Sequence, residues 1–347
     1  MPTRAQDPDQ AGAHAPPPPH ALMEQAAYWY ALLISGDANA SDHARWRAWL
    51  AEHPQHRHAW TYVESVSQRV LAPLQTVPNP SLLAAKVQDV HTRGQSRRRA
   101  LLGLGMLAGV GTIGWAGWAH TPIPNMLAAW TADYRTGTGE ILEFKLADGS
   151  LLWLNASSAI NADMQATLRK LTLVAGEILV STAHGDPRPF IIETPHGRLR
   201  ALGTRFTVRQ ESEQTFLAVY EGAVEIRTTG NNTTRVIPAK TQTRFDANGI
   251  IPATEADPAR EAWSRGELIA WDLSLSEVIR ELERYYVGHI ALAPAVSQRR
   301  VFGTFPLRDV RGALAMLADA ASLRIRQPLP WWISIDANNT AVSPASH

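Results

Sequence analysis

The longest uninterrupted apolar run is Ala100 to Ala119, ALLGLGMLAGVGTIGWAGWA, which holds no charged side chain and follows directly on Arg97, Arg98 and Arg99. A helix rises ~1.5 Å per residue, so about 20 residues cross a hydrocarbon core of ~30 Å. The run predicts one transmembrane helix over 100–119. A buried helix of a soluble domain is usually shorter and keeps a polar edge, and a cleaved export signal sits at the start of a chain rather than after 99 residues. Arg93 and Arg97 to Arg99 precede the run, whereas no Lys or Arg follows it before Arg135. Positive residues stay in the cytoplasm. Residues 1–99 are therefore expected there and 120–347 on the far side. Ser96 to Leu102 fits both a twin-arginine export signal kept as an anchor and an ordinary basic flank. The Gly105–Gly109 spacing suits helix packing, but glycines are frequent in this segment.

Before the run the apolar period is helical. Residues 1–20, with Pro16 to Pro19, have almost nothing to bury and read as a disordered leader. Leu22, Ala26, Trp29 and Leu33 then share one face of a helix ending near Gly36. Ser41 or Asp42 can cap a second helix carrying Trp46, Trp49 and Leu50. Pro54 starts a third, with Ala59, Val63, Val66 and Val70 inward, and Ser81 to Val90 reads as a shorter helical piece. Such a bundle over 21–90 is marginal on its own. Its tryptophans serve either as its own core or as anchors for a partner. His53, His56 and His58 do not share a helical face, and no thiolate completes a metal set.

After the run, Thr121 to Pro124 gives a stiff exit, and the period changes to two. ILEFKL and LLWLN flank Asp148-Gly149, a hairpin signal. KLTLVAGEILVST, PFIIETPHGRLRALGTRFTVRQ, TFLAVYEGAVEIRTT and TRVIPAKTQTRF read as further strands, punctuated by Gly176, Gly197, Gly203, Gly222 and Gly230. The expectation for 125–250 is an antiparallel sandwich or wound β domain. Residues 262–340 read as α+β. Glu267 to Leu273 and His289 to Ala293 flank a helix capped at Ser276 with Val278, Ile279, Leu282, Tyr285 and Tyr286 inward. Val301 to Phe305 and Leu323 to Arg326 flank another with Val310, Leu314, Leu317 and Ala321 inward, a repeated βαβ.

Composition narrows the chemistry. The 347 residues carry a net charge of +1, so no large field favours nucleic acid. There is no cysteine, which excludes disulfides, thiolate metal sites and cysteine nucleophiles. No ordered nucleophile, base and orienting group emerges, and neither a metal nor a cofactor is expected.

The ordered series YRTGTGE, LADGSLLWLNASSAI, LVAGEILVST, RPFIIETPHGRLRALGTRFTVRQ and VYEGAVEI resembles the FecR family of inner-membrane sigma-factor regulators. AAYWYALLISGDANASDHARWRAWLAEHPQHRHAWTYVESV resembles the cytoplasmic anti-sigma domain of that family, and GELIAWDLSLSEVIRELERYYVGHIAL with VFGTF resembles the small secretin-and-TonB N-terminal (STN) fold that ends many such chains. The resemblance implies a single-pass protein of the inner membrane with its C-terminus in the periplasm. Its implied partners are an extracytoplasmic-function sigma factor, the signalling domain of a TonB-dependent outer-membrane receptor for iron chelates, and an intramembrane protease. Trp46, Trp49 and Trp60 are the candidate anchors for the sigma factor, with Arg45 and Arg57 near its surface. Some similar chains cleave themselves at a Gly-Thr bond, here Gly203-Thr204, by attack of the threonine hydroxyl on the preceding carbonyl. The bland alternative is that Gly203 relieves a bulge. A membrane-anchored hydrolase and a secretion component are the rival functions.

Overall fold

A computed structural model describes residues 18–35, 38–75, 129 and 131–338 of the chain. The expected span over 100–119, its arginine flank, the helical piece at 81–90 and most of the leader lie outside these residues. Among the described residues, no helix is long and apolar enough to cross a membrane.

Helices α1 (His20–Ile34), α2 (Ala40–Glu52) and α3 (Pro54–Gln75) form the expected N-terminal unit. Met23, Ala26 and Ala27 of α1 are buried with Ala59, Val63 and Val66 of α3. His20, assigned above to the leader, is the first residue of α1. The cap of α2 is neither Ser41 nor Asp42. Asn39 caps it, and Asp42 closes a capping box by accepting from the Asn39 amide at 3.0 Å while donating its own amide to Asn39 Oδ1 at 3.0 Å.

The β domain is built from β1 (Tyr134–Arg135), β2 (Leu142–Lys145), β3 (Leu151–Leu154), β4 (Ala159–Met164), β5 (Arg169–Ala175), β6 (Glu177–Ser181), β7 (Phe190–Thr194), β8 (Gly197–Ala201), β9 (Arg205–Gln210), β10 (Thr215–Glu221), β11 (Ala223–Thr228), β12 (Thr234–Pro238), β13 (Thr241–Phe245) and β14 (Thr254–Glu255). They form two seven-stranded sheets, ordered β1-β4-β5-β7-β8-β11-β12 and β14-β13-β10-β9-β6-β3-β2. Ile160, Leu171, Ile192, Leu199 and Ile226 of the first face Leu152, Ile178, Phe206, Val208 and Leu217 of the second in one core. Burying each such side chain contributes about 1.5–3 kcal/mol.

Three runs read above as continuous are each cut at a glycine where the chain changes sheet. Gly176 lies between β5 and β6, Gly203 between β8 and β9, and Gly222 between β10 and β11. All three have positive φ, at 84°, 76° and 74°. A Cβ on Gly222 would overlap the carbonyl oxygen of Gly203, so these two crossings touch. Gly222→Ala is therefore expected to lower stability by about 2 kcal/mol or more, read as a fall in thermal midpoint.

The C-terminal unit holds β15 (Glu267–Ser274), α4 (Leu275–Glu283), β16 (His289–Leu292), β17 (Arg300–Pro306), α5 (Val310–Ala321), β18 (Leu323–Leu329) and β19 (Trp332–Ala337). It is not a plain doubled βαβ. Among the described residues β15 pairs only with β17, and the unforeseen β19 inserts between β16 and β18, parallel to the first and antiparallel to the second. The cap of α4 is Ser274 rather than Ser276, again with a capping box, here to Glu277. Tyr285 and Tyr286 follow the end of that helix.

This unit covers the outer face of the second sheet. Trp153 and Leu179 point away from the sandwich core and join Val278, Leu282, Tyr285 and Leu314 in a second cluster. The seam is also polar. Arg205 pairs with Glu261 at 2.8 Å, Arg209 with Glu281 at 2.7 Å and Arg284 with Glu177 at 2.5 Å, while the Tyr285 hydroxyl donates to Asn155 Oδ1. The helical unit packs on the far end of the C-terminal unit, where Ala291, Leu329, Trp331 and Trp332 close the cluster of α1 and α3. Arg326 reaches both Glu24 and Asp336 there, and His20 lies 3.3 Å from Asp336.

Candidate functional site

The helical unit sorts its aromatic residues into two sets. Trp46 and Trp60 face each other with ring centroids 5.0 Å apart, and Trp60 lies 5.7 Å from Tyr30. Their rings pack on each other and on Tyr30, so they serve the bundle more than its surface. Trp49 differs. Its ring stacks on His56 at 4.6 Å, and its Nε1 donates to Gln25 Oε1 at 3.0 Å. Trp49, Trp29, Tyr28 and Gln25 line an open groove of about 540 Å³ between α1 and α2. Of the five candidates, the structure places only Trp49 on this groove and brings it together with Tyr28 and Trp29, which the sequence reading did not select. The signal was present: at 100° per residue, Tyr28-Trp29-Tyr30 cannot all face one side of a helix, and Tyr28 is 63% exposed. Arg45 is exposed and bound to Asp42, and Arg57 is exposed.

The histidines considered as ligands do not converge. His56 Nδ1 lies 2.7 Å from the Trp49 carbonyl oxygen, and His53 Nδ1 accepts from the Gln55 amide. His20, Glu24 and Asp336 do bring ligand atoms together, but the Arg326 guanidinium already bridges the two carboxylates.

The Gly203–Thr204 bond sits at the crossing from β8 to β9. Gly203 is exposed, with open space on the side where a Cβ would stand. Thr204 is buried, and its Oγ1 has no hydrogen-bond partner among the described residues. Its backbone is held tightly. Thr204 N donates to Thr182 Oγ1 at 2.8 Å, while Thr182 N donates to the Thr204 carbonyl oxygen at 3.0 Å. The β6–β9 ladder thus ends with a side-chain hydroxyl in place of a main-chain carbonyl. A buried hydroxyl left unpaired costs about 1–3 kcal/mol.

Compared with known families, residues 132–225 match the FecR protein family. That segment runs from before β1 into β11 and contains Thr182, Gly203, Thr204 and Gly222. The chain carries a FecR domain. Ahead of it, residues 24–66 match a domain of unknown function, DUF4880, which takes in most of α1, all of α2 and the first half of α3. Two crystal structures of a candidate anti-sigma factor from Parabacteroides distasonis ATCC 8503, at 1.65 and 2.50 Å resolution, are similar over 59% of this chain and 98% and 97% of theirs, with 24% identity and a TM-score of 0.49. No curated protein matches the chain. The FecR domain here is sealed to the C-terminal unit through Glu177, Arg284 and Glu281. Burial raises the Glu281 carboxyl, but attraction to Arg209 and Arg284 outweighs it and holds that group below its ordinary value.

Proposed function

We propose that this chain is a single-pass anti-sigma regulator of the inner membrane. The observation that carries the reading is the order of parts: a DUF4880 match, an uncharged run of twenty residues behind three arginines, then a FecR domain. On this reading α1 to α3 hold an extracytoplasmic-function sigma factor in the cytoplasm, and the FecR domain with the C-terminal unit receives a signal in the periplasm. The groove of Tyr28, Trp29 and Trp49 offers the contact. In membranes holding the full chain, Trp49→Ala is expected to weaken capture of the sigma factor by about 30-fold, the loss of one hot-spot side chain worth ~2 kcal/mol. Unchanged capture by a folded variant would exclude the groove.

The periplasmic partner on this reading is the signalling domain of a TonB-dependent receptor for iron chelates, docking on an STN-like C-terminal unit. Trp271 and Phe302 favour this. They are cross-strand neighbours on the two-stranded β15–β17 ribbon, 79% and 57% exposed, with ring centroids 6.0 Å apart. Such a ribbon can accept an added strand. Partner binding outside must shift two states of the inner helices, or an intramembrane protease must make the change irreversible.

Within one threaded chain, α1 and α3 cannot touch Trp331 and Trp332. The packed arrangement of these units and the threaded one exclude each other, and insertion uncovers both faces. A second reading, self-cleavage between Gly203 and Thr204, is favoured by the unpaired Thr204 hydroxyl.

A further inference from the structure

We propose that the Thr182 hydroxyl is the proton donor to the departing nitrogen when the Gly203–Thr204 bond opens. This rests on the self-cleavage reading above and adds a residue to it. Thr182 was not singled out in the sequence, because it lies 22 positions upstream of Thr204.

Three observations converge on it. Thr182 Oγ1 is 2.8 Å from the scissile nitrogen. Its own proton is engaged with the Thr204 carbonyl oxygen at 3.2 Å, a long bond that is easily given up. The main-chain bond from Thr182 N to the same oxygen fixes the threonine regardless of where its hydroxyl points. The Thr182 hydroxyl therefore stays beside the nitrogen while its hydrogen is free to turn.

Thr204 Oγ1 bonds to the Gly203 carbonyl carbon and releases its proton to water. The nitrogen loses its amide character and becomes basic, so the 2.8 Å contact reverses: it accepts the Thr182 proton, and Thr182 regains one from water. The C–N bond breaks with its electron pair left on nitrogen. An ester now joins the Gly203 carbonyl to Thr204 Oγ1, and Thr204 carries a free amine. One water then hydrolyses the ester to a Gly203 carboxylate and a free Thr204 hydroxyl. Water reaches the carbonyl from the exposed side of Gly203, where nothing lies within 4 Å of a Cβ position. No oxidation occurs. An amine leaves poorly unless protonated, which is why a donor at this atom matters.

The test uses the full chain in membranes, read on a denaturing gel and by mass spectrometry of the 204–347 fragment, with neutral hydroxylamine to trap the ester. Wild type is expected to yield residues 1–203 and 204–347, and Thr204→Ala to stay intact. Thr182→Val should slow cleavage by about 100-fold, whereas Thr182→Ser should restore it to within about twofold. Because valine also strands the Thr204 amide, Thr182→Asn, of similar volume, is measured beside it: its carboxamide oxygen can accept from that amide but has no acidic proton to give, so cleavage is slowed in the same direction. Cleavage at the wild-type rate in the valine and asparagine variants, or no rescue by serine, overturns the role of Thr182 and leaves self-cleavage standing. A wild-type chain that stays intact with and without hydroxylamine overturns both.

Discussion

Glu177→Ala lowers the stability of the FecR domain and C-terminal unit by about 3–5 kcal/mol, the usual cost of removing one partner from a buried ion pair. Glu177 is 4% exposed and accepts from Arg284 at 2.5 Å and from Asn155 Nδ2 at 2.8 Å. Without it, Arg284 keeps Glu281 and the Ala156 carbonyl oxygen, each at 3.4 Å, and the Asn155 amide loses an acceptor. Asn155 is buried and the Arg284 side chain is only 15% exposed, so water replaces the lost acceptor poorly. Glu177→Gln keeps an acceptor and should cost less. Chemical denaturation of the full chain in detergent measures both, and a loss below about 1 kcal/mol for the alanine variant would mean the seam is wet. The same seam sets a pH dependence. The Glu281 carboxyl is held below its ordinary value in the fold, so its contribution is present above the unfolded value of 4.5 and is lost as pH falls through the lower, folded one. The midpoint should drop on acidification below about pH 4.5, and less so in Glu281→Gln.

A chain carrying Tyr30→Cys and Trp331→Cys gives no intramolecular cross-link with a short bis-maleimide while it is in membranes, and an efficient one after synthesis without membranes. The two rings are 5.7 Å apart in the packed arrangement. The natural chain has no cysteine, so any product reports this pair alone. In the threaded chain a bilayer core of ~30 Å separates them. An impermeant maleimide should then reach position 331 from outside and position 30 only after lysis. Cross-linking in sealed membranes would defeat the proposed topology.

How much could be read without coordinates varied with how local the cause was. The hairpin at Asp148-Gly149 and the faces of α3 and α5 follow from residues a few positions apart, and they stand as expected. The caps lie two or three residues ahead of the expected position at α2 and two ahead at α4. A single polar residue near the first turn does not fix the start; the paired signature, Asn39 with Asp42 and Ser274 with Glu277, decides it. LVAGEILV looked like one strand because Gly176 interrupts neither hydrophobicity nor alternation; only the positive φ there sends the chain into the other sheet. The unbroken LLWL was a clearer hint. A strand apolar at every position is buried on both faces, and the second cover is the C-terminal unit, more than 100 residues away. Nothing near Thr204 in sequence marks Thr182, since their pairing is a product of the β6–β9 ladder.

The route by which the polypeptide enters the FecR domain also has a mechanical meaning. β1 is two residues long, lies at the edge of its sheet, and is held through Tyr134 opposite Ile160 and Arg135 opposite Ala159. On the proposed topology, tension arriving along a tether from the membrane is borne first by those few rungs, well before it loads the sandwich core. Under traction the domain would shed its first strand like the end of a zip, leaving the β4 margin bare while the rest stays folded.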